Sequence, residues 1–113
     1  MLDFNNKVFV CSKETEKGEF TRETIFSYKQ YGKIVSATYK GGKIRYGELI
    51  GMMNDQGIQE VAFNHVTIDS QTYRGTCTMK PCRQANTSYK LTALWLLLEA
   101  QNVEEQLELE ELD

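Results

Sequence analysis

The chain has 113 residues, 41% of them apolar, and a net charge of −3, which bounds it to one domain, 1–113, with material for a core. Six of the sixteen acids fall between Glu104 and Asp113, so the preceding residues hold thirteen bases against ten acids and form no basic cluster. That pattern argues against nucleic acid, and no apolar run approaches the ~18 residues of a membrane span. The start, MLDFNNK, has neither the basic head nor the apolar core of a secretion signal, and three cysteines, an odd number, fit a reducing compartment. The expectation is a cytoplasmic protein with no nucleic-acid or membrane partner.

Residues 7–12 (KVFVCS) alternate as a short strand, and 13–18 (KETEKG) form a polar turn. Residues 19–30 (EFTRETIFSYKQ) place Phe20, Thr24, Phe26 and Tyr28 on one parity, which predicts a second strand with an aromatic inner face. Tyr31-Gly32 turns the chain into a hairpin, 33–40 and 43–53, around Gly41-Gly42, a pair suited to a turn with positive φ at both central positions. With that turn Tyr39 faces Ile44 and Ala37 faces Tyr46. Glu48 then falls on the apolar face beside Val35. A bulge at Gly47 or a changed register moves it out, and otherwise it lines a cavity.

Asn54-Asp55-Gln56-Gly57 is a turn signal, and residues 58–68 put Val61, Phe63 and His65 on one face. A two-residue loop at Asp69-Ser70 sets His65 opposite Arg74 and leads into a strand over 72–80, which Pro81 is expected to break. Residues 91–100 (LTALWLLLEA) are apolar on both parities. A strand fits the hairpin rhythm and a helix is the alternative. Leu107 and Leu109 alternate with acids, so 103–113 reads as an acidic strand or tail. The whole is all-β: an antiparallel up-and-down meander of about eight strands, rolled into a lipocalin-like or avidin-like barrel that leaves no open edge.

Inside such a barrel Tyr28, Tyr39, Tyr46, Phe20, Phe26, Phe63 and Trp95 either fill the core or line a ligand cavity; an eight-stranded barrel is just wide enough for side chains to fill it. Together with Glu48 and His65, the set Tyr28, Tyr39, Tyr46, Phe63 and Trp95 forms the candidate ligand-binding interior. His65, the only histidine, has no orienting carboxylate at fixed spacing, so a structural role outweighs a catalytic one. Cys11, Cys77, Cys82 and His65 have the stoichiometry of a zinc site but lack the paired CxxC spacing, and neither a metal nor another cofactor is expected.

The succession Gly18-Glu19, Glu23-Thr24, Phe26, Tyr28, Gln30, Gly32, Ala37, Tyr39, Gly41-Gly42, Ile44, Gly47, Leu49-Ile50-Gly51, Gly57, Phe63, His65, Gly75 and Cys77 resembles a group of small bacterial proteins that carry the name N-acetylglutamate synthase. The resemblance spans about residues 7–80 and continues loosely to Trp95. It implies an acetyl-CoA-dependent amino-acid N-acetyltransferase. The residues themselves supply no glycine-bearing loop at a helix start to hold the pyrophosphate, because the glycines at 41, 42, 47, 51 and 57 sit in or beside strand turns. The leading expectation is therefore a non-enzymatic barrel that binds a small molecule or a partner chain. The acetyltransferase and a self-associating structural domain, a homo-oligomer, are the alternatives.

Overall fold

Side-chain alternation governs the architecture. Strand β5 buries every second residue from Gln59 to Thr67, and β3 buries Val35, Ala37 and Tyr39 while exposing Ile34, Thr38 and Lys40. Such a strand has one face that must leave water, and closing the sheet on itself buries that face without leaving an edge. The computed structural model describes residues 3–13, 20–83, 89–97 and 103–112. Its strands are β1 (Val8–Lys13), β2 (Ile25–Tyr31), β3 (Ile34–Gly41), β4 (Ile44–Met53), β5 (Gln59–Thr67), β6 (Thr72–Arg83), β7 (Tyr89–Leu97) and β8 (Val103–Leu112). Each pairs antiparallel with the next, and β1 returns to β8 to close the barrel. The stretch left open between strand and helix is a strand as far as Leu97.

The seam differs from the other pairings. Only Val8–Val10 are in register with β2, against Ile25–Ser27, whereas β1 runs along β8 as far as Lys13 opposite Glu108. The rest of β2 is held by the segment before β1: the Asn6 amide donates to the Tyr28 carbonyl at 2.9 Å, and the Phe4 amide donates to Gln30 Oε1 at 2.7 Å. Phe4 is thereby fully buried and plugs one end of the barrel against Phe9 and Tyr28.

Four sequence expectations need correction. The second strand begins at Ile25 rather than at residue 19, because residues 21–24 form a turn in which the Thr24 amide donates to the Thr21 carbonyl at 3.0 Å. The central hairpin turns at Gly42-Lys43, with Gly41 opposite Ile44, and a bulge at Arg45-Tyr46 then shifts the register, so that Tyr39 faces Gly47 and Ala37 faces Leu49. The loop after β5 is one residue longer than expected, with Ser70 in the left-handed region (φ 66°), so His65 faces Tyr73 and Asn64 faces Arg74. Pro81 does not end β6: the register with β5 stops at Met79 while that with β7 continues to Arg83, so the missing N–H falls where β6 is paired on one side.

Two glycine positions make opposite demands. A Cβ at Gly51 would lie 2.0 Å from the Glu60 carbonyl oxygen, which belongs to a neighbouring backbone and cannot swing away, whereas at Gly32 (φ 58°) a Cβ meets nothing within 4 Å. Gly51→Ala is expected to cost about 1–3 kcal/mol of unfolding free energy in a urea titration, and Gly32→Asn, with a residue that tolerates positive φ, about 0.5 kcal/mol or less.

The seam also carries a charge effect. Burial opposes ionisation of Glu111, but the Lys7 ammonium, donating at 2.8 Å, and the Tyr89 amide, donating at 3.0 Å, outweigh it and hold the carboxyl below its usual range. A carboxyl depressed on folding contributes stability above its unfolded pKa and loses it as pH falls through the folded one. Lys7→Ala should therefore lower stability at neutral pH by under about 1 kcal/mol, with the deficit shrinking as the pH of the urea titration is taken below the carboxylate range.

Candidate ligand-binding site

The interior contains two aromatic clusters. Phe4, Phe9 and Tyr28 occupy the end that carries the segment before β1, with Tyr89 edge-on to Phe4 at 6.0 Å. Phe20, Phe26, Tyr39, Phe63, His65 and Trp95 gather near the other end, where the β3–β4 and β5–β6 turns lie. Trp95 is central to this second cluster, with ring centroids 4.5 Å from Phe63, 4.7 Å from Phe20 and 5.9 Å from Tyr39. Strand parity places Tyr39, Phe63, His65 and Trp95, whereas Phe20 reaches the cluster from the turn before β2.

The shifted hairpin register makes this cluster possible. Gly47 lies between Tyr39 on β3 and His65 on β5, and a Cβ there would come within 2.4 Å of the Tyr39 ring and 2.8 Å of His65 Cβ. With glycine in that place the Tyr39 hydroxyl and His65 Nδ1 meet at 2.9 Å, both side chains being buried. His65 thus has a structural partner inside the cluster, as a histidine removed from water requires.

Among the described residues two buried polar side-chain atoms lack a partner. Trp95 Nε1 is one, on a residue only 1% exposed, and Gln59 Nε2 is the other. Gln59 opens β5 toward the Phe4 end, where its Oε1 lies 3.2 Å from the Tyr28 hydroxyl, which is also 3.0 Å from Met79 Sδ. Burial pushes the Tyr28 phenol well above its ordinary range, so it stays protonated and serves as a donor. A buried donor without an acceptor costs about 1–3 kcal/mol, so each such atom marks a place where a water or a ligand oxygen would be stabilising.

Of the residues expected in the interior, the structure brings together Tyr39, Phe63, His65 and Trp95. Tyr28 is inside but belongs to the opposite cluster. Tyr46 and Glu48 are outside, and this corrects their placement: the bulge at Arg45-Tyr46 turns both to solvent, with Tyr46 46% exposed and its hydroxyl donating to Glu48 Oε1 at 3.0 Å. That bond to the carboxylate pushes the Tyr46 phenol up. Gln59 and Phe4 went unnoticed in the sequence, one as a polar residue beside a turn, the other as a lone aromatic ahead of the first alternating run. The only signal for Gln59 was its parity with Val61 and Phe63.

Cys11 and Cys77 are buried in the core and Cys82 is exposed, on β6 rather than in a loop. Among the described residues no group of three His, Cys, Asp or Glu side chains converges as metal ligands would. Burial raises the Cys77 thiol pKa, which suppresses the reactive thiolate. In the native protein a thiol-disulfide reagent should modify Cys82 quickly, with Cys11 and Cys77 following only as the barrel opens; mass analysis after a short pulse locates the label.

A closed, antiparallel eight-stranded barrel with one aromatic-lined end defines the class of up-and-down β-barrels. The family model described as Avidin-like protein matches residues 2–112, and the chain belongs to that family. Comparison with curated proteins and with solved structures finds no match. Nothing in these comparisons supports the N-acetylglutamate synthase resemblance.

Proposed function

We propose that this protein is a non-enzymatic binding barrel whose Trp95-centred end receives a small molecule. The observation that carries the reading is the Trp95 indole: it is buried among four other aromatic rings and a histidine, yet its N–H has no acceptor. Packing alone would be served as well by phenylalanine, which needs no acceptor, whereas a ligand oxygen or nitrogen would offset the cost of the orphaned donor. Family membership supports the same reading, since avidin-like proteins bind small molecules such as biotin.

Trp95 is the sole tryptophan, so its emission reports on this end of the barrel without labelling. Native mass spectrometry of gently purified protein should show a mass above the 13.0 kDa chain that is lost on denaturation, and release of the bound molecule should shift the Trp95 emission. Trp95→Phe keeps an aromatic ring but removes the donor, and should weaken the recovered ligand about tenfold by isothermal titration. A bare chain, with emission unmoved by biotin or by small-molecule extracts, would refute the reading.

A second reading rests on the outer wall. Ile34, Ile50 and Met52 are 47%, 59% and 55% exposed on β3 and β4, beside a depression of about 460 Å³ edged by Ser36, Ile50 and Ala62. Neighbouring exposed apolar side chains on one sheet face suit contact with a second copy of the chain. Light scattering tests it directly: a dimer or larger assembly that dissociates in Ile50→Lys supports self-association, and a monomer at all concentrations opposes it.

A further inference from the structure

Phe20 is the one member of the aromatic cluster that does not come from a strand, and yet it is only 2% exposed. Its ring stacks on Phe26 (6.2 Å between centroids, 16° between planes), leans on Trp95 at 4.7 Å and receives His65 nearly edge-on at 5.7 Å. The strands therefore build a slot walled by rings, and a side chain from a connecting turn fills it. Phe20 belongs to no strand ladder, whereas the other rings of the cluster sit on paired strands.

The turn that delivers Phe20 is held by a small, polar and reversible anchor. The Thr24 hydroxyl accepts from the Thr21 amide at 3.1 Å and donates to the Gly41 carbonyl at 3.1 Å, and Thr21 Oγ1 accepts from the Glu23 amide at 3.1 Å. Gly41 and Gly42 let this turn lie against the β3–β4 hairpin: a Cβ on the first would meet the Glu23 carbonyl oxygen at 2.1 Å and one on the second the Thr21 hydroxyl at 2.4 Å. The anchor thus consists of hydrogen bonds worth about 1 kcal/mol each, against an aromatic slot able to hold any flat ring of similar size.

We propose that Phe20 is a resident substitute for the ligand, and that the ligand is a small planar aromatic or heteroaromatic molecule bearing a hydrogen-bond acceptor, which displaces the Phe20 ring and answers the Trp95 N–H. The inference rests on the reading of the Trp95 end as a binding site and adds the ligand's class and what it must compete with. Because the slot is populated by Phe20 in the free protein, apparent affinity is reduced by the fraction of molecules in which it is filled, and a variant that empties or loosens it binds more tightly.

The test uses benzamide, a planar ring with an acceptor, and toluene, a ring without one, followed by Trp95 emission and by amide hydrogen exchange. Benzamide should bind the wild-type protein, speed exchange of the Thr21 and Thr24 amides as the turn lets go, and bind Phe20→Ala about tenfold or more tightly than wild type. Toluene should bind both more weakly than benzamide. Thr24→Val keeps the side chain's volume while removing both hydroxyl bonds, so it should also bind benzamide more tightly, and it serves if Phe20→Ala does not fold. Binding to wild type with those amides unmoved and no gain in either variant would overturn the displacement while leaving the binding site in place. Binding to Phe20→Ala alone would show an artificial hole and overturn it too. Equal binding of toluene and benzamide would remove the acceptor from the ligand's description. No binding to any form would discard this ligand class, and the site as a whole falls only if the purified wild-type protein also carries no molecule of its own.

Discussion

The width of the barrel is the constraint on which the rest depends. Eight strands enclose room for little more than their own inward side chains, so where large rings crowd together some of the facing positions must be small. Gly47 faces Tyr39 and His65, and Gly75 faces Phe63, and in each case a Cβ would reach 3.0 Å or closer to one of those rings or side chains. Ala37 on β3 does the same more gently opposite Tyr28. The aromatic content is therefore not a surplus that happens to be buried. Tyr39, His65 and Phe63 are placed where the glycines facing them leave space.

That matching also explains how two ends of one interior come to differ. At the Phe4 end the filler rings are joined by Met53, Met79 and leucines, and of the polar groups there the Tyr28 hydroxyl is answered by Gln59 Oε1 while Gln59 Nε2 is left without an acceptor. At the Trp95 end the packing is ring against ring, with one hydrogen-bonded pair, Tyr39 and His65, and one donor left over. An apolar pocket with a few fixed polar groups is the usual composition of a binding site, and only the second end has it at a place reached from a turn.

Much of the fold was legible in the chain because period-2 alternation and glycine-bearing turns recur along it, and these signals report backbone direction and face. They do not report where an extra residue enters a strand. Glu48 shows the cost: counting from Gly41-Gly42 puts it inside beside Val35, and the bulge at Arg45-Tyr46 puts it outside beside Thr38. A buried carboxylate with no partner was itself the warning, and Gly47, next to the bulge, was the clue. The same slip by one residue moved His65 from Arg74 to Tyr73, where Ser70 adopts a conformation that serine seldom takes. Phe63 and Tyr39 were legible as inward residues from parity alone, whereas Trp95 lies in a stretch apolar on both parities and was legible only as an aromatic of the expected core. Phe20 was placed inside with them, but by parity as part of a strand, and the turn at 21–24 shows that it arrives from outside the sheet.

The short pairing between β1 and β2 has a consequence for how the barrel can come apart. A cylinder without edges has no preferred place to tear unless one seam is weaker than the others, and here the seam at Val8–Val10 is short, with the remainder of β2 sealed by the backbone and side chains of residues 4–7. Peeling that segment away would bare Tyr28 to Tyr31 as an unpaired strand border next to an exposed Ile25, which is the kind of border another chain can extend. The few residues ahead of β1 thus act as the clasp of a closed ring, guarding the molecule against joining its neighbours strand to strand.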